Sequence, residues 1–405
     1  MSRRILLQSA LGACVSVCVP AAAQSQDPLR PSAQAPERSS AGSDLSTTGG
    51  AIAGVVYENL TPAGLLATAG PLVRTRSWFS PYDGRYTEAE ELTYGAWLAG
   101  GRNASPRGAS DYGALRSRFQ WSLRNGLPAG PGAPATSTYA RGVEMTRSIL
   151  QGYLKRNDYM VAPHNATNLA DVEMLYVLEG DPDALECIKG IGRYLGAQYL
   201  EQDLDLSGPN SDPRSAAILL QALSANARYG LPYTARSSWG SNWKQAAATL
   251  VGRMSQHVQR DGKVVSQAHK NSGQGDEAFF MNAMLAAELM RWHGFVEPQR
   301  AWLDLSRRIL DHLIEEDARR GGACLPYTSN DGNSCAHDLA GFYVWPALVM
   351  WQETGLPAYK TFALKHIAAA AHAFVSGAKQ FNQAYSTGAQ SAEALLSGVR
   401  WSKAD

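Results

Sequence analysis

The sequence predicts an all-α chain, an (α/α) toroid of five to six helical hairpins, and three observations predict it. A glycine–proline signal recurs as Gly126-Leu127-Pro128, Gly180-Asp181-Pro182, Gly230-Leu231-Pro232 and Gly355-Leu356-Pro357, with Gly294 and Pro298 as a looser copy. Helical stretches that are apolar nearly all round alternate with amphipathic ones. No alternating strand pattern of comparable strength appears anywhere. Glycine suits the left-handed position that ends a helix, and proline suits the first turn of the next. Each signal therefore reads as the tight turn of an αα-hairpin.

The elements follow in order. Arg3 and Arg4, an apolar run from Ile5 to Val19 and the small residues Ala21-Ala22-Ala23 form an export signal over residues 1–23. It resembles a twin-arginine signal, and its run is too short to span a bilayer. Residues 24–50 are rich in Ser, Ala, Pro, Gln and Thr without an apolar period, which predicts a flexible linker. Residues 51–405 are the folded part, with 51–85, including Trp78, Phe79 and Tyr82, as a strap or lid. The predicted pairs are Asp111–Arg124 with Tyr139–Lys155, Leu169–Leu178 with Pro182–Leu200, Arg214–Tyr229 with Asn242–Gln259, Glu277–Trp292 with Pro298–Ile314, and Leu339–Gln352 with Pro357–Val375. Thr87–Leu98 and a stretch near Ala392–Val399 supply a sixth. Ala216–Leu223, Phe279–Leu289 and Leu339–Met350 are apolar all round, so the first helix of a pair is the inner one.

Lys and Arg total 37 against 36 Asp and Glu, and this balance argues against a nucleic-acid partner. Once the signal is removed, Cys187, Cys324 and Cys335 remain. In an oxidising periplasmic or extracellular compartment Cys324 and Cys335 are expected to pair, and Cys187 to be a buried small hydrophobe. Cys335, His337 and Asp338 match no strong zinc-ligand spacing, so no metal and no cofactor is assigned.

Inner helices ringed by outer ones resemble the six-hairpin glycosidase-like superfamily, which includes glycoside hydrolases and polysaccharide lyases. The resemblance covers about residues 86–400 and rests on architecture. Gly275-Asp276-Glu277-Ala278-Phe279-Phe280-Met281 resembles the start of an inner helix in unsaturated glucuronyl hydrolases. The resemblance implies action on a polysaccharide or oligosaccharide; export follows from the signal, and a monomer without stable membrane insertion is expected.

The long connections lead into the inner helices and deliver polar clusters there: Asp111 and Tyr112; His164, Asn165 and Asn168; Asp212 and Arg214; Asp276 and Glu277; His337 and Asp338. Glycosidic hydrolysis needs one carboxylic acid to protonate the leaving oxygen and a second carboxylate to act as base or nucleophile. Asp276 or Glu277 is the candidate acid and Asp212 the base, with Arg214 beside it and His164 a further catalytic candidate. Asn165, Asn168, Tyr112, Asp111, His337 and Asp338 are candidate substrate contacts. Each acid also fits a helix cap, Asp212 before Pro213 above all. Two alternatives stand beside hydrolysis. In a lyase, Asn165 and Arg214 neutralise a uronate carboxylate while His164 and Tyr112 move protons. In a non-catalytic glycan-binding protein, the clusters only bind.

Overall fold

The computed structural model describes residues 80–102, 113–159, 169–194, 212–273, 275–371, 382–383 and 395–396. The export signal, the linker, Trp78 and Phe79 lie outside them, as do Asp111, Tyr112, His164, Asn165 and Asn168. Among the described residues the chain is helical, with no strands and two isolated bridges, Val258 with Val264 and Ala278 with Thr328.

A first helix, α1 (Ser80–Ala99), precedes the hairpins. They are α2 (Ala114–Arg124) with α3 (Thr138–Ile149), α4 (Leu169–Glu179) with α5 (Pro182–Tyr194), and α6 (Pro213–Arg228) with α7 (Trp243–Met254). A short helix, α8 (Gln267–Ser272), lies in the next connection. Then come α9 (Phe279–Phe295) with α10 (Arg300–Arg320), and α11 (Val344–Thr354) with α12 (Pro357–Ala371). A 3-10 segment, His337–Tyr343, leads into α11.

The predicted turn chemistry holds at four positions. Gly126, Gly180, Gly230 and Gly355 have φ of 64°, 64°, 60° and 70°, the left-handed region open to glycine at no steric cost. Gly294 is the exception. It lies inside α9, which runs on to Phe295 before Val296 ends it. Likewise α10 continues past the predicted Ile314 to Arg320 and stops at Gly321, whose φ is 65°. The stretch Tyr139–Lys155 is not one α-helix: after Ile149 it opens into a π turn, Leu150–Leu154, and a 3-10 turn, Lys155–Asn157.

The two helices of each hairpin pack together, and the first helices pack in sequence: α2 on α4, α4 on α6, α6 on α9, and α9 on the 337–343 segment and α11. Their burial follows the sequence pattern. Leu219, Leu220 and Leu223 of α6, Phe279, Leu285 and Leu289 of α9, and Trp345, Leu348 and Val349 of α11 belong to one continuous core. On α10, Trp302, Leu305, Ile309 and Leu313 turn inward, while Asp304, Arg307 and Arg308 face solvent. Burying one such side chain stabilises by roughly 1.5–3 kcal/mol, so these stripes fix which face of each helix is inside. Before the hairpins, α1 is anchored by the buried pair Arg118–Glu90 at 3.0 Å and by Tyr86 stacked on Trp121 with ring centroids 4.1 Å apart.

Candidate active site

The start of α6 shows how capping and chemistry share a residue. Asp212 has extended backbone angles, Pro213 follows at the first helical position, and the Asp212 Oδ1 accepts the Ser215 N–H at 2.7 Å. That is the N-cap predicted from sequence, a bond worth about 1 kcal/mol. Its other oxygen, Oδ2, accepts from the Arg214 Nη2 at 3.1 Å, so the carboxylate is buried and ion-paired. The capping and functional readings of Asp212 are compatible, because each uses a different oxygen.

Two groups outside the predicted clusters join this pair. His269, on α8, is 6% exposed, and neither ring nitrogen has a hydrogen-bond partner among the described residues. Burial pushes its imidazole below the ordinary pKa and the Arg214 charge adds to the shift, while Asp212 opposes it. The ring is therefore neutral at neutral pH. Tyr327 is 39% exposed, with its ring edge-on to Phe280 at 5.1 Å. Burial pushes its phenol above the ordinary value; Arg214 opposes this, and Asp212, Asp331 and Asp338 reinforce it. Arg214 and Asp212 thus lie within electrostatic reach of both His269 and Tyr327.

The loop carrying Tyr327 is firmly held. A disulfide joins Cys324 to Cys335, as expected, and Ala336 N–H donates to the Leu325 carbonyl at 3.1 Å. Phe279 N–H donates to the Tyr327 carbonyl at 3.3 Å and Ser329 N–H to that of Glu277 at 3.2 Å, so the loop pairs with the entry to α9. Asp331 accepts from the Thr328 N–H and hydroxyl at 2.7 and 2.8 Å. Arg320 donates to the carbonyls of Ser329 and Gly332. Gly275 is required at this junction. Its φ is 94°, and a Cβ there would stand 2.4 Å from the Ser329 hydroxyl oxygen.

The acids at the start of α9 are arranged differently from the prediction. Asp276 pairs with Lys263 at 2.8 Å and accepts from the Ser329 hydroxyl at 3.2 Å. Burial pushes its pKa up, but the Lys263 hydrogen bond and charge, with Ser329, outweigh it and hold the carboxyl below the ordinary range. A carboxylate held ionised in this way is a poor proton donor, so Asp276 does not suit the role of general acid. Glu277 is 2% exposed and accepts from His312 Nε2 at 3.0 and 3.1 Å and from Asn282 Nδ2 at 3.1 Å. It therefore turns toward α10, and its oxygens are engaged by structural donors. Burial alone would lower the His312 pKa, but the hydrogen bond and charge of Glu277 raise it above the ordinary value.

His337 Nδ1 lies 3.0 Å from the Ala369 carbonyl oxygen and 3.2 Å from the Cys335 sulfur, an engagement that suits a structural histidine. The Asp338 carbonyl accepts from Gln383 at 2.8 Å, and its carboxylate acts on Tyr327. Asp171, in the first turn of α4, is fully buried and accepts the Arg116 N–H at 3.0 Å, capping the neighbouring α2. Farther along α4 and α9, Glu173 pairs with Arg228 at 2.5 Å and Glu288 with Arg291. The cavity among them, about 10 Å³, has room for roughly one water and none for a sugar ring.

Sequence reasoning missed His269 and Tyr327. Both sit in long connections, but neither stands at the start of the first helix of a hairpin, where the predicted polar clusters lie. No family model, curated protein or solved structure matches the chain.

Proposed function

We propose that the chain is an exported carbohydrate-active enzyme that cleaves a uronate-containing glycan by β-elimination at the Asp212–Arg214–His269–Tyr327 corner. One observation carries the reading: a neutral buried imidazole and a protonated phenol both lie within electrostatic reach of the same guanidinium. Elimination needs those three groups. Arg214 neutralises the uronate carboxylate and so acidifies the adjacent C5 proton. His269 takes that proton, the C4–O bond breaks as the C4–C5 double bond forms, and Tyr327 protonates the leaving oxygen. Asp212 holds the Arg214 guanidinium in place.

The architecture proposed around this corner is an (α/α) toroid. The described C-terminal residues support a closed ring, because Asn382 accepts from Arg118 of α2 at 3.0 Å while Gln383 reaches Asp338 beside the last hairpin. Export is supported by the disulfide, which favours an oxidising compartment, and no described helix is long and apolar enough to cross a membrane.

Hydrolysis is the second reading, favoured by two carboxylates, Asp212 and Asp338, that both act on Tyr327. In that case Asp338 replaces Asp276 as proton donor. Incubating the mature chain with polyuronates and with neutral glycans tests the choice. Elimination gives unsaturated products from polyuronates alone, and hydrolysis gives saturated ones. Binding to a glycan without cleavage supports a non-catalytic binder instead.

A further inference from the structure

We infer that the Cys324–Cys335 corner is a convertible site, a disulfide when oxidised and a zinc-binding Cys–Cys–His set when reduced. The ligand atoms of Cys324, Cys335 and His337 all lie within 4.8 Å of one another, with Cys324 buried and the other two half-buried. In a tetrahedral zinc site, with Zn–S near 2.3 Å and Zn–N near 2.0 Å, neighbouring ligand atoms stand roughly 3.5 Å apart. The Cys335 sulfur and His337 Nδ1 are already 3.2 Å apart. Two thiolates and an imidazole select a borderline-soft ion such as Zn²⁺ over Mg²⁺ or Ca²⁺.

The ligands do not depend on the sulfur–sulfur bond to stay together. The Ala336–Leu325 backbone hydrogen bond joins the two arms next to the cysteines. Arg320 also grips the loop at Ser329 and Gly332. The loop is thus held by contacts other than the disulfide, which keep the two cysteines and His337 near one another.

The conversion balances. The disulfide takes two electrons and two protons from a dithiol, which closes to its own cyclic disulfide, and yields two thiols. Zn²⁺ then displaces both thiol protons. His337 Nδ1 gives up the Ala369 carbonyl as the ring proton moves to Nε2, leaving Nδ1 as the ligand and a water as the fourth. None of this depends on the glycan chemistry proposed above.

Cobalt titration of the mature chain (residues 24–405), with and without prior reduction by a phosphine and removal of excess reductant, tests it. The reduced chain is expected to take up one Co²⁺ with thiolate-to-cobalt absorption and a tetrahedral ligand-field spectrum, and Zn²⁺ is expected to displace it. The oxidised chain is expected to give no such spectrum. Cys187→Ser should leave the signal intact, and His337→Ala should weaken binding by at least about tenfold, since even outer-shell changes cost that much. A reduced chain with native circular dichroism and no cobalt spectrum overturns the proposal. So does loss of the helical signal on reduction, or a spectrum that survives Cys335→Ser.

Discussion

The first helices of two successive hairpins, α6 and α9, are both largely buried and both follow acids in the chain, and the surroundings of those acids differ in kind. At the entry to α9 both carboxylates are engaged by side-chain donors: Asp276 by the Lys263 ammonium, and Glu277 by the His312 imidazole. At α6, Asp212 is capped and paired with Arg214, and within electrostatic reach of that pair lie a neutral His269, with no hydrogen-bond partner among the described residues, and a part-exposed Tyr327. An acid at a helix start is therefore not by itself a sign of chemistry. What separates the two corners is whether the proton-transferring groups are already consumed by structural partners.

The largest expected effect lies at the α6 corner. His269→Gln and Tyr327→Phe should each lower the catalytic rate by about 10²–10⁴-fold, with unchanged circular dichroism. The pH profile sharpens the assignment. A base whose pKa lies below the ordinary histidine value must be neutral to act, so activity should fall only below about pH 6.5 and remain flat just above it.

The α9 corner should respond in stability. His312→Ala strands a buried carboxylate, a change that costs about 3–5 kcal/mol. The sign of the pH dependence follows from the raised His312 pKa. The contribution of the pair is complete below about pH 6.5 and is lost as pH climbs through the raised value. Urea melts across that interval should show this slope in the wild type and not in His312→Ala.

Between these corners lies the loop they share. Replacing Cys324 and Cys335 by serine should cost about 3 kcal/mol by the chain-entropy account, read as a lower urea midpoint. The smallest effect separates the corners most sharply. Asp276→Asn removes a half-buried ion pair and should change activity by less than about tenfold. Loss of all activity there would restore Asp276 as a catalytic acid.

Much of the fold was legible because its signals are local. The Gly-Leu-Pro turns, the Asp212-Pro213 cap and the disulfide each follow from a few neighbouring residues and elementary geometry. The end of α10 was not legible, since Glu315-Glu316-Asp317 reads as a solvated run. Asp317 is buried, however, because Lys365 reaches it from α12 at 2.7 Å. The pairing of Glu277 with His312 spans two helices, so no pattern within either helix announces it. His269 carried no signal at all, being one histidine in a polar connection outside the predicted helices.

The central claim is elimination at the α6 corner, and the most direct measurement is product mass after digestion of a polyuronate in heavy-oxygen water. The account predicts unsaturated fragments that carry no heavy oxygen, since no water enters the product. Saturated fragments that each gain one heavy oxygen would contradict it and return the chemistry to a pair of carboxylates.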